Sequence, residues 1–235
     1  MTQAATTTTT PAAQPRTPIA GLVLARAIEC AVLFAGVPLL IYFDILPLNL
    51  MMLVLGVFGV VVFVFLLLDK SFDRKRLWNT RAALRDMPVF IPLCIVGALL
   101  MFIGTLLHDR FEWGPELLFG FPTRNTGIYI AVMLLYPLFS VYPQELIYRA
   151  FFFHRYAVLF RTPTAMIIAS ALAFGWGHLI FENVLAVALS TAGGVLFAWT
   201  YHRSKSLAAC WLEHAIYGDW LFTVGLGWYF FTGSV

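Results

Sequence analysis

Three side chains stand apart in this 235-residue chain: Glu145, His178 and His214 each interrupt a long apolar run, in a protein with only five histidines. A carboxylate and an imidazole can together activate water for attack on a carbonyl while a second imidazole stabilises the oxyanion. The same set can instead hold a divalent metal such as zinc with one position open. Spacing leaves both uses open. Glu145 also has Arg149 four residues on, one helical turn away, so the two charges can compensate each other on one face.

These groups are legible because charge is scarce. Apolar residues make up 61% of the chain, aromatics 16% and charged residues only 11%, where a soluble domain carries roughly a quarter charged residues. That excludes a soluble enzyme. Stretches of about twenty apolar residues recur, each long enough to cross a hydrocarbon core of about 30 Å, and an ionisable group inside one costs about 2.5 to 3.5 kcal/mol even on a lenient scale. The formal charge of +3 is too small to indicate a nucleic-acid partner. Cys30, Cys94 and Cys210 lack metal or disulfide spacing and read as small buried side chains.

The elements that must position the three residues are transmembrane helices. Residues 1–18, a Thr, Ala and Pro tract, read as a disordered tail. Residues 19–235 read as one all-α transmembrane domain of about eight helices: 19–43, 48–68, 87–107, 126–160, 163–181, 183–201, 207–218 and 219–231. The connection from Asp69 to Asp86 carries Lys70, Arg74, Lys75, Arg76, Arg81 and Arg85 and is expected on the cytoplasmic side by the positive-inside rule. Arg16, Arg155, Arg161, Arg203 and Lys205 fall on the same side, against Arg110 and Arg124 on the other. An even count puts both termini in the cytoplasm and the chain in the cell inner (cytoplasmic) membrane.

With the fourth and fifth helices turning near Thr162, Glu145 lies 17 residues before the turn and His178 16 after it, so the two reach the same depth in a hairpin. His214 reads as shallower, with kinks at Pro137 and Pro143 able to close the gap. Elsewhere, Arg26 and Glu29 form a one-turn ion pair, Gly193-Gly194 permits close helix approach, His108 and His202 read as solvated, and His154 and Tyr156 as interfacial.

The stretch from about 129 to 231 resembles the CPBP family of intramembrane proteases, also described as CAAX prenyl protease 2, lysostaphin resistance protein A-like or Abi proteins. The family's acidic motif, EExxxR, corresponds to Gln144-Glu145-Leu146-Ile147-Tyr148-Arg149, its FxxxH to Phe174-Gly175-Trp176-Gly177-His178, and its third motif to His214-Ala215-Ile216-Tyr217-Gly218. The resemblance implies a glutamate-dependent endopeptidase with its site in a cavity within the membrane. By position His178 partners the base, His214 donates to the oxyanion, and Arg149 orients the acidic motif. Two positions depart from the pattern. Gln144 stands where the first Glu is usual, and an amide cannot take a proton, which leaves Glu145 as candidate base. Gly218 stands where an Asn is common.

The expected function is therefore hydrolysis of a peptide bond in a membrane-associated protein or peptide, lipidated or not, with Glu145 and His178 activating water and His214 stabilising the oxyanion. Gln144, Arg149 and Phe174 support the site. Glu182, Asn183, Glu213 and Asp219 adjoin the motif histidines and are candidates for a surrounding shell. No cofactor is required unless Glu145, His178 and His214 hold zinc. The alternatives are a catalytically impaired scaffold that binds membrane peptides or lipids, motivated by Gln144 and Gly218, and a transporter, since intramembrane Glu and His also form proton relays.

Overall fold

The computed structural model describes residues 20–113 and 116–230; the N-terminal tract read as a tail lies outside them. Seven long helices follow one another with no β-strand among the described residues: α1 (Ala20–Tyr42), α2 (Leu48–Leu68), α3 (Thr80–Arg110), α4 (Thr126–Arg155), α5 (Pro163–Phe181), α6 (Val184–Ser204) and α7 (Leu207–Val224). The first six are long and apolar enough to cross a membrane. The chain is an integral, multi-pass, all-α membrane protein, as its composition indicated. Most exposed large hydrophobic side chains on α2 and α3 are Leu, Val or Ile, as suits lipid-facing surfaces.

The expected count of eight is not met. The two short helices anticipated on either side of Gly218 form the single helix α7, which runs on to a left-handed glycine, Gly225, at φ 99°. Gly218 ends no helix because its bare Cα makes room for the ring of Tyr136; a side chain there would overlap that ring and its hydroxyl. By length and composition six of these helices, rather than eight, can cross a membrane.

One end of the bundle gathers most of the basic residues. There Asp69 accepts from His154 at 2.9 Å, Ser206 donates to the Asn79 carbonyl at 2.9 Å, and Arg155 holds both oxygens of Glu29 at 2.8 Å. The Arg26–Glu29 pair is present at 2.8 Å, but Arg155 also clamps that carboxylate and so ties α1 to α4. Tyr156 is fully buried rather than interfacial. His108 is likewise buried, bonded to Asp109 and Tyr229 rather than solvated.

Helix α4 carries the acidic motif and departs from regular geometry. Residues Pro137–Val141 and Leu146–Phe151 form π-helical turns on either side of a short α segment containing Pro143. Proline lacks an N–H and disturbs the ladder, and in a membrane every carbonyl released must find another donor. Trp211 Nε1 donates to Pro137 O at 2.6 Å, and in the π turn of α1 Trp176 Nε1 donates to Ala35 O at 3.3 Å. Gly59 of α2 lets Pro143 approach to van der Waals limits, and Gly194 of α6 does the same for Ala171 of α5, so Gly194 has the packing role expected of it.

Candidate functional site

Glu145 lies at the end of the α segment between the two π turns and is completely buried. Its Oε1 lies 2.9 Å from His214 Nδ1 on α7, and its Oε2 lies 3.2 Å from Arg149 Nε. Arg149 is also fully buried; it donates to Ser170 Oγ at 2.9 Å, and its guanidinium lies 4.9 Å from the Phe174 ring centroid and 5.8 Å from that of Phe197. A cation over aromatic faces is stabilised by their quadrupoles, so the apolar wall around Arg149 is less hostile than aliphatic packing. The His214 ring stacks on Phe197 at 4.5 Å and meets Phe174 edge-on at 5.5 Å.

His214 separates Glu145 from a cavity of about 330 Å³. Its walls include Tyr136, Ser140, Gln144, His178 and His214, and among the described residues no carboxylate lines it. A second, smaller and mostly apolar cleft of about 140 Å³ between α1, α2 and α4 shares Ser140, Gln144 and His178 with it. Gln144 and His178 thus stand where the two spaces meet. The Gln144 amide is oriented by Nε2 donating to Ser140 Oγ at 2.7 Å, which directs Oε1 to accept from a third party. His178 Nδ1 lies 2.8 Å from the Phe174 carbonyl; a carbonyl can only accept, so Nδ1 carries the proton and the lone pair is on Nε2.

The expected meeting of Glu145 with His178 is not made; Glu145 meets His214. Depth runs from helix ends rather than from the centre of a turn. Residues 156–162 add little depth because α4 stops at Arg155, only ten residues past Glu145, while His214 lies seven residues into α7 and His178 fifteen into α5. The one-residue offset in the acidic motif has a second consequence: position 144 faces the cavity and position 145 faces the protein. Of the outer candidates, Asn183 caps α6 by accepting from Leu185 N and Ala186 N, Glu182 is exposed, and neither Glu213 nor Asp219 lines the cavity. Four residues at the site carried no clear sequence signal: Tyr136, Ser140, Ser170 and Phe197. Only Ser140, one turn before Gln144, lay within reach of inference.

The side chains do not fit a shared zinc ion. Glu145 is spent on Arg149 and on the Nδ1 proton of His214, and His178 Nδ1 is spent on a carbonyl. Among the described residues no three His, Cys, Asp or Glu side chains are placed to hold an ion.

The described residues thus form a helical membrane protein with a buried Glu–Arg–His group behind a polar-rimmed cavity. Residues 126–218, about two fifths of the chain, match the family model of Type II CAAX prenyl endopeptidase Rce1-like proteins, which supports the resemblance to the CPBP family. No curated protein and no solved structure matches the chain.

Proposed function

We propose that the cavity hydrolyses a peptide bond of a membrane-associated protein or peptide, with the basic end of the bundle on the cytoplasmic side of the inner membrane. The observation that carries this reading is the convergence of His178, His214 and Gln144 on one cavity wall, with Glu145 directly behind His214. Water held between Gln144 Oε1 and His178 Nε2 has two acceptors for its protons and an oxygen lone pair free to attack. His178 Nε2 takes a proton as the C–O bond forms, then returns it to the amide nitrogen as the C–N bond breaks. His214, with Nδ1–H paired to the Glu145 carboxylate, presents Nε2–H to the carbonyl oxygen. In this reading Glu145 supports the oxyanion donor and is not the base. The apolar cleft beside Gln144 suits a hydrophobic segment of the substrate.

The test is cleavage in liposomes of a quenched fluorescent peptide ending in a farnesylated Cys-aliphatic-aliphatic-X sequence. Turnover by the wild type, reduced about 10²-fold or more in His178→Ala and in His214→Ala, supports the assignment; turnover that survives both substitutions overturns it. That no carboxylate among the described residues lines the cavity favours a second reading, a peptide-binding member without hydrolysis. Binding of the same peptide by the wild type without turnover selects that one.

A further inference from the structure

The phenol of Tyr136 has no part in the reaction just described, yet it is one of the most closely seated side chains at the cavity. Its ring meets Phe222 edge-on at 5.2 Å and lies over the bare Cα of Gly218, where any side chain would overlap it. Immediately after it, Pro137 O is held by Trp211 of α7 at 2.6 Å, so α4 is pinned to α7 at this level. The hydroxyl lies 3.3 Å from His214 Nε2, and both groups line the cavity. Two donors at that separation can both reach one oxygen atom, and the rigid surroundings keep them there without reorganisation.

We propose that Tyr136 is a catalytic residue whose O–H, beside His214 Nε2–H, is the second hydrogen-bond donor to the oxyanion, and that Gly218 is bare to seat it. The assignment rests on the hydrolytic reading above. Charge favours it. Glu145 and Arg149 cancel, and a His214 protonated on both nitrogens leaves one positive charge, which a single oxyanion neutralises. The phenol adds a neutral donor, so it strengthens the hole without adding charge to a low-dielectric site. Tyr136 transfers no proton in this scheme; it donates a hydrogen bond that strengthens as the carbonyl oxygen becomes an oxyanion.

The probe is a phosphinic version of the farnesylated peptide, with PO2⁻–CH2 in place of the scissile amide, compared in binding with the parent amide peptide. The wild type is expected to prefer the phosphinic peptide. Tyr136→Phe, which keeps the ring over Gly218, is expected to reduce that preference about 10²-fold and to lower kcat equally with KM unchanged. Gly218→Ala, which displaces the phenol while leaving it in the chain, is expected to act in the same direction. An undiminished preference in Tyr136→Phe overturns the assignment, as does a wild type with no preference, whether or not the peptide is cleaved. A Tyr136-dependent preference without turnover keeps the phenol as a donor to an anionic oxygen beside His214 and defeats the hydrolytic reading, so the two fail separately.

Discussion

The ion pairs at the basic end of the bundle are better made than the one at its centre. Glu29 receives Arg26 and two parallel bonds from Arg155, all at 2.8 Å, and Asp86 receives Arg203 at 2.7 Å, among side chains that keep some exposure. Glu145 and Arg149 are fully buried, yet their contact is 3.2 Å and too poorly aligned for a hydrogen bond, and Arg149 Nη2 has no hydrogen-bond partner among the described residues. Burial raises the cost of imperfect pairing. A pair kept for stability would be the well-formed one. The central pair is badly satisfied because its geometry serves His214 and the cavity, whereas the outer pairs fasten α1 to α4 and α3 to α6.

The largest expected effect breaks this contrast at its centre. Arg149→Met leaves the Glu145 carboxylate buried with His214 as its sole cationic partner, and removing one member of a buried pair costs about 3 to 5 kcal/mol. Arg155→Met removes the better-formed but partly exposed clamp and is expected to cost about 0 to 1 kcal/mol. Denaturant unfolding in mild detergent measures both. Equal losses would show that burial does not separate the two regions.

The next effect sharpens the division between adjacent residues. Gln144→Glu places a carboxylate on the cavity wall beside His178, where it can act as general base, and turnover of the farnesylated peptide is expected to rise about 10²-fold. Glu145→Gln leaves the cavity wall unchanged and weakens the pairing of His214, so it is expected to lower kcat. If Gln144→Glu is inert and His178→Ala remains the more damaging change, the amide is not standing in for a base.

Much of this architecture was readable in the residues. Helix α2 has no ionisable group across its length, and the clustering of Lys and Arg marked one end of the bundle. Glu145, Arg149 and His214, singled out as rare ionisable groups in an apolar chain, do lie together, but the expected pairing of Glu145 with His178 is not made. Their register was not readable, because it depends on two π-helical turns around Pro143 and on where α4 stops, neither of which has a periodicity signature. Gly218 misled for a related reason. Read along the chain it looks like a helix end, next to the polar Asp219; in space it is a seat for Tyr136, and only the true end at Gly225 has the left-handed conformation that calls for glycine.

The smallest expected effect lies at the basic end and depends on pH. The Ser71 hydroxyl, then His154, then the Ser71 amide hold the Asp69 carboxyl well below the usual carboxylate range. A carboxyl with a depressed folded-state pKa contributes stability that is present above its unfolded value, about 3.9, and is lost as pH falls through the folded value. The stability difference between the wild type and Asp69→Asn is therefore expected to be constant from pH 7 down to about 5 and to shrink only below about 4. Ser71→Ala removes the largest of the three influences, so the contribution of Asp69 should be smaller and should be exhausted at higher pH than in the wild type. Tryptophan fluorescence during acid titration in bicelles follows both. An Asp69→Asn protein with the same acid midpoint as the wild type would mean that this contact, like many exposed ion pairs, fixes the position of the loop without stabilising the fold.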